Sequence, residues 1–238
     1  MNQKLKVQKF IIFLNGSNSQ TNVKVIANKQ KSSSLTDLNE NEIFIADGGL
    51  NHFLRNKISS NKIIWAGDYD SLTEKSKKFL DKNSVRNNMG QERELIVEEI
   101  SLQKNKDYND FSFLLELIKK KSKNIPIFIE IFFGLGGRKD HELANIFEAK
   151  RFVKNHAPGG ICYFHGGVII SSVNFEVICA NKLTFSIFSD EDNVPISIKG
   201  AKYSGNITLE RPSHGLSNST KGSRIFIKPN SSTILFYF

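Results

Sequence analysis

Two aspartates stand one residue apart where an apolar run ends, in KIIWAGDYDS at 62–71. Like charges this close repel, and burying either one is costly without a cation or a donor beside it. Asp68 and Asp70 therefore either cap a turn that faces water or hold a metal ion. The same punctuation, glycine with a carboxylate or amide after an apolar run, recurs in LNGSN (14–18), ADGGLNH (46–52) and GLGGRKDHELAN (134–145). A fifth polar group, NKDYND at 105–110, opens a helical pattern, and its Asp107 and Asp110 are three apart, on one side of a first turn. Each cluster alone is an ordinary turn or cap, because Asp and Gly make both.

Together the clusters predict five or six acidic groups converging on one crevice, an arrangement that repels itself unless divalent cations compensate. Mg²⁺ takes carboxylate oxygens and phosphate oxygens of a substrate. Glycines let backbone N–H groups come close to phosphates, and the Arg138 guanidinium can grip one with two parallel hydrogen bonds. The chemistry expected is that of a Mg²⁺-dependent enzyme acting on a nucleoside polyphosphate. No GxxxxGK[ST] occurs, so a P-loop is excluded.

Such clusters need a frame that aims them at one place. FIIFLNG, VKVIAN, EIFIADGG, KIIWAGD, ELIVEEIS and IPIFIEIFFG read as short apolar strands. Between or after them, Phe111, Leu114, Leu115 and Ile118 recur at helical spacing, as do Leu143, Ile146 and Phe147. Strand–helix alternation predicts a mainly parallel, Rossmann-like sheet with helices on both faces, and ligands of such sheets bind beyond the carboxyl ends of the strands. After about residue 155 the pattern changes to short strands at tight spacing, from ICYFHGG and VIISSV to RIFIKP and TILFYF. That predicts an antiparallel sandwich or barrel. The expected division is an α/β catalytic domain at 1–155 and an all-β sandwich domain at 156–238, with NHAPGG (155–160) as the linker.

The 238 residues are 39% hydrophobic and carry a net charge of +9, enough apolar content for a sizeable core and a surface that suits an anionic partner. The densest lysine run, KKKSK at 119–123, ends a helical pattern, where cations complement the helix dipole. Cys162 and Cys179 lack zinc-site spacing and read as reduced thiols, which with the absence of a signal-peptide pattern around FIIFL predicts a cytoplasmic protein. No apolar run is long enough to span a membrane.

ADGGLNH, GDYDS, KDYND and GLGGRKDHELANI, in this order and spacing, resemble the motif set of the thiamine pyrophosphokinases. IKGAKYSGN (198–206) and GLSNST (215–220) resemble that family's later stretches, so the likeness covers nearly the whole chain. The resemblance implies transfer of the pyrophosphoryl group of ATP to thiamine, giving thiamine diphosphate and AMP. It implies a homodimer, with each active site between the catalytic domain of one subunit and the β domain of the other. By matched position, Asp68, Asp70, Asp107 and Asp110 would hold Mg²⁺, with Asp140 completing the catalytic acidic group. Asn15, Asp47, Gly48, Gly49 and Arg138 would surround ATP. Asn109, Asp110, Asp140, Ser217 and Asn218 would contact thiamine.

Two departures stand out. Asn109 occupies the place of the family's threonine, and Asn can cap or hydrogen-bond there. The only tryptophan is Trp65, before GDYDS, so the β-domain tryptophan of some members is absent. His141 follows Asp140 at a helix start and reads as a cap or supporting group, while the other four histidines have no ligand spacing. Two other functions compete: a pyrophosphokinase for a pterin-like hydroxymethyl heterocycle, and a basic nucleic-acid-binding module. The latter has only the net charge in its favour, since no RRM, KH or zinc-finger signature appears and the conspicuous clusters are acidic. No nucleic-acid or membrane partner is expected.

Overall fold

A computed structural model describes residues 7–17, 23–27, 30–35, 38, 42–85, 95–104, 106–122, 125–157, 159–230 and 232–238. Asn18 of the first polar cluster, Asn105 of the fifth, Lys123 of the lysine run and Pro158 of the expected linker lie outside these residues.

In chain order the strands are β1 (Gln8–Phe13), β2 (Val23–Ala27), β3 (Gln30–Lys31), β4 (Glu42–Ala46), β5 (Lys62–Gly67), β6 (Ile96–Ser101), β7 (Ile127–Phe132), β8 (Gly160–Phe164) and β9 (Val168–Ser171). They continue as β10 (Phe175–Cys179), β11 (Thr184–Phe188), β12 (Val194–Lys199), β13 (Gly205–Leu209), β14 (Gly215–Ser219), β15 (Arg224–Lys228) and β16 (Ile234–Tyr237). Among the described residues four α-helices intervene: α1 (Gly49–Arg55), α2 (Glu74–Asn83), α3 (Asp110–Ser122) and α4 (Lys139–Asn155).

Ten strands form one mixed sheet in the order β14-β11-β16-β9-β8-β7-β1-β4-β5-β6. The six strands from β8 to β6 are parallel, and from β8 to β14 the pairing is antiparallel. β1 and β7 are buried on both faces. Phe10 and Ile12 of β1 pack with α3 and α4, whereas Ile11 and Phe13 pack with α1 and α2. Such doubly covered strands carry the continuous apolar runs that parallel sheets require. The chain moves outward from β1 through β4, β5 and β6, then returns to β7 on the other side of β1. Its helices change face at the same point, so the crevice of the sheet lies over β1 and its two neighbours.

Two strands sit differently from the expectation. VKVIAN does not join the parallel sheet. As β2 it pairs antiparallel with β10, and with β3 it completes a six-stranded sheet ordered β13-β12-β15-β10-β2-β3. Its alternating burial, with Val25 and Ala27 inward, is the pattern of a strand covered on one face only. ICYFHGG opens the second half, yet as β8 it pairs parallel with β7, from Ile127↔Gly160 to Ile131↔Phe164. The ten-stranded ladder therefore runs through position 155. The six-stranded sheet packs on the antiparallel end of the large sheet, with Val25, Val177, Ile196 and Ile227 meeting Tyr163, Ile169 and Phe236 in one core. α2 and β14 have few apolar residues to mark them in the sequence, and α1 is only seven residues long; α2, EKSKKFLDKN, buries only Ser76 and Leu80.

Candidate active site

Four strand ends and two helix starts enclose a cavity of about 420 Å³. Its lining includes Asn15 after β1, Asp47 and Gly48 after β4, Asp68, Asp70 and Ser71 after β5, and Gly134, Gly136 and Arg138 after β7. Asn109 and Asp110 enter from the start of α3; His141, Glu142 and Asn145 enter from α4.

The backbone at these strand ends is unusual. Asp47, Tyr69 and Phe133 all have positive φ, of 25°, 69° and 57°. Residues without glycine's freedom hold such angles only where their surroundings over-determine them. Around Asp47 they do. The buried Asp47 carboxylate accepts the Tyr69 N–H on Oδ1 and the Ser71 N–H on Oδ2, both at 3.0 Å. Its carbonyl accepts the Trp65 indole N–H at 3.0 Å. The Tyr69 hydroxyl donates to Glu99. Gly67 is required because a Cβ there would stand 2.6 Å from the Cβ and Oδ1 of Asp47.

Asp47, Asp68 and Asp70 each offer a carboxylate oxygen within 4.8 Å of the others. The donors are all oxygen, and carboxylate oxygens grouped this way suit a hard cation such as Mg²⁺. Burial pushes the Asp47 carboxyl up to about 6, against its two backbone hydrogen bonds, and the charge of Asp110 adds to the rise. Burial also raises the carboxyl of Asp110; Lys106 beside it lowers it, and Asp68 and Asp70 raise it further. Lys106 Nζ lies 2.7 Å from Asp110 Oδ1. Asp70 is exposed, and the Ser71 hydroxyl at 2.9 Å lowers its carboxyl.

The residues singled out from sequence are thus only partly brought together. Asn15, Asp47, Gly48, Asp68, Asp70, Asn109, Asp110 and Arg138 line one cavity. Gly49 lies beneath it as the first residue of α1, tight against Phe13 O. Asn109 caps α3, its Oδ1 accepting the Ser112 N–H at 2.8 Å. Asp107 is exposed and outside the cavity lining, and the grouped third carboxylate is Asp47 instead. Asp140 is exposed outside the lining, where Arg138 Nε at 3.1 Å pulls its carboxyl down to about 2. Ser217 and Asn218 lie on β14, the far edge of the large sheet. That is five strand spacings from β7, roughly 24 Å. Asn218 is buried, and its amide holds Tyr203 by both backbone groups, accepting N–H at 3.0 Å and donating to O at 2.8 Å.

Glu142 and Asn145 escaped the sequence reading. Glu142 accepts the Gly136 N–H at 2.8 Å, and Asn145 donates to Gly134 O at 3.1 Å, so α4 fixes the glycine turn it follows. Their three-residue spacing put both on one helix face, the signal that was available.

Carboxylates and glycine turns over the carboxyl ends of parallel strands stand where open α/β sheets bind their ligands. The model for "Thiamin pyrophosphokinase, catalytic domain" matches residues 35–158, just over half of the chain, and the chain belongs to this family. The activity of the family is transfer of the pyrophosphoryl group of ATP to thiamine. Solved structures agree in fold. A thiamine pyrophosphokinase from Bacillus subtilis is 19% identical, with 96% of this chain and 97% of that chain covered and a TM-score of 0.66. A thiamin pyrophosphokinase family protein from Enterococcus faecalis is 16% identical over 97% of each chain, with a TM-score of 0.64. The thiamin pyrophosphokinase from Candida albicans is 16% identical, covering 97% of this chain and 91% of that one, with a TM-score of 0.61. Among curated protein sequences none matches. No helix among the described residues is long and apolar enough to cross a membrane.

Proposed function

We propose that the cavity over β1, β4, β5 and β7 is where ATP and thiamine react, with Mg²⁺ held by Asp68 and Asp70 and supported by Asp47. The observation that carries this reading is the grouping of those three carboxylates at the crevice of the sheet. A cation bound there neutralises charge on the triphosphate and polarises the phosphorus that is attacked. The glycines of the 134–138 turn let phosphate oxygens approach the backbone beside the Gly136 N–H that Glu142 holds, and Arg138 stands at the rim, oriented by Asp140. Asp110 is half-buried, with its proton affinity raised, and is the group best suited to accept the hydroxyl proton of thiamine as the oxygen attacks. Asp107 remains available as an outlying carboxylate for cation or substrate.

The thiamine side of the site belongs to a second copy of the chain in a cytoplasmic homodimer. Two exposed apolar surfaces support this: Leu143 and Phe147 on α4 beside the crevice, and Tyr203 and Leu216 at the β14 edge. In such a dimer the exposed Ser217, with φ of 56°, and Tyr203, clamped by Asn218, would be the groups that meet the partner's crevice. Tyr203 then supplies the aromatic surface that the missing tryptophan leaves open. The 1–155 part would carry ATP and cation, the 156–238 part thiamine.

The test is direct: incubation of the pure protein with ATP, Mg²⁺ and thiamine yields AMP and thiamine diphosphate in equal amounts. Release of ADP or orthophosphate instead, or turnover of a hydroxymethylpterin in preference to thiamine, would overturn the assignment. For the shared site, an Asp70→Asn variant mixed with a Tyr203→Ala variant regains activity that neither shows alone. Absence of recovery after subunit exchange is shown would place both halves of the site in one chain.

A further inference from the structure

In ADGGLNH the polar side chains of Asn51 and His52 lie outside the cavity lining, and Asn51 has the richer set of bonds. Asn51 lies in the first turn of α1 and points at the exit of the acidic turn. Its Nδ2 donates to Ser71 O at 2.8 Å. Its Oδ1 accepts from Thr73 N and Thr73 Oγ1, each at 3.1 Å, and from the buried Ser76 Oγ at 2.6 Å. Thr73 is itself the cap of α2. Ser71 is thus gripped twice: Asp47 holds its N–H, and Asn51 holds its carbonyl.

We infer that Asn51 is a positioning residue for the cation site, holding the Asp68–Ser71 turn closed before any cation arrives. This rests on the reading of Asp68 and Asp70 as cation ligands. Two forces oppose the closed turn: repulsion among Asp47, Asp68 and Asp70, and the left-handed backbone of Tyr69. Asp47 cannot oppose them alone, because its carboxylate is one of the three charges that repel. Asn51 is neutral and accepts from groups on α2, so it ties the turn to a folded element outside the acidic group. Without it the exit of the turn is released and the carboxylates spread. A cation would then have to pull them back, at the expense of its affinity. Partners that orient metal ligands commonly account for about 10- to 100-fold in affinity.

The experiment is Mn²⁺ binding to the metal-free full-length protein, without nucleotide, by electron paramagnetic resonance, alongside melting temperature. Asn51→Ala is expected to raise the Mn²⁺ Kd about 10-fold or more. Ser76→Ala removes one bond to Asn51 from the α2 side but leaves the link to Ser71, and is expected to keep the Kd of the wild type. In turnover, Asn51→Ala should raise the Mg²⁺ concentration for half-maximal rate more than it lowers the rate at saturating Mg²⁺. An Asn51→Ala protein that melts earlier with an unchanged Mn²⁺ Kd overturns the inference, as does a Ser76→Ala protein whose Kd rises equally. Should Asn51→Ala not fold, Asn51→Ser carries the same expectation and the same refutation. If the wild type binds no Mn²⁺, it is the cation-site reading that fails; if the wild type binds and Asn51→Ala binds equally, only the role of Asn51 fails.

Discussion

The two ends of the ten-stranded sheet handle polar groups in opposite ways. Over β1, β4, β5 and β7, carboxylates are pressed together, and Asp47 is buried with its proton affinity raised. At the β14 edge the buried polar group is neutral and satisfied, because each polar atom of the Asn218 amide has a backbone partner. A site under electrostatic stress waits for a ligand of opposite charge, whereas a satisfied amide builds a surface. On the proposed function, the first end would supply charge for chemistry and the second shape for recognition.

Four substitutions or titrations test that division. The largest effect is expected from Asp70→Asn, which keeps size and removes one charge. Loss of one such electrostatic contact costs about 10²-fold or more in kcat/KM. Melting of the metal-free protein should be nearly unchanged, because the exposed side chain keeps an oxygen to accept the Ser71 hydroxyl. A variant that melts earlier yet turns over normally would return Asp70 to the role of a turn residue.

Asn218→Ala should show the reverse balance. It leaves the Tyr203 N–H and carbonyl without their partner, for a loss of about 1–3 kcal/mol by denaturant unfolding. Thiamine KM should rise while Mn²⁺ affinity stays at the wild-type value. A change in Mn²⁺ affinity would contradict the separation of the two ends.

Gly67→Ala is expected to cost a similar amount of stability, about 1–3 kcal/mol, because the added Cβ presses on Asp47 backbone and side chain alike. It should also weaken Mn²⁺ binding. Wild-type affinity in a destabilised Gly67→Ala protein would show that the turn tolerates displacement.

A fourth effect concerns pH. Asp47 has its folded pKa raised to about 6, above the unfolded value near 3.9. The protonated form is favoured by folding, so this stability is fully present below about pH 4 and is lost as pH rises through 6. In chelator, the melting temperature of wild type relative to Asp47→Asn should therefore fall between pH 4 and 7. A flat difference would show that Asp47 ionises without cost.

Much of the crevice was legible because its residues are local in sequence. Each apolar run ends in its own Gly and Asp, so 46–49, 66–71 and 134–138 could be read as strand ends before any pairing was known. What was not legible depended on contacts between distant segments. VKVIAN reads equally as a strand of either half, and only its pairing with β10 decides between them. Asp47 rather than Asp107 completes the acidic group because β4 and β5 are neighbours, while Asp107 precedes α3 and faces outward. Asn218 shows the same limit: its SNST context marked it, but not that its amide would be turned inward on Tyr203.

The claim on which the rest depends is that the strand-end carboxylates share a cation with the triphosphate. Calorimetry of ATP binding to the wild-type protein, in Mg²⁺ and again in excess chelator, tests it most directly. With Mg²⁺ the sign of the local field is reversed, and ATP should bind at micromolar concentrations. In chelator the acidic group repels the triphosphate, and binding should weaken by about 10-fold or more. Equal ATP affinity in the two conditions would contradict the account.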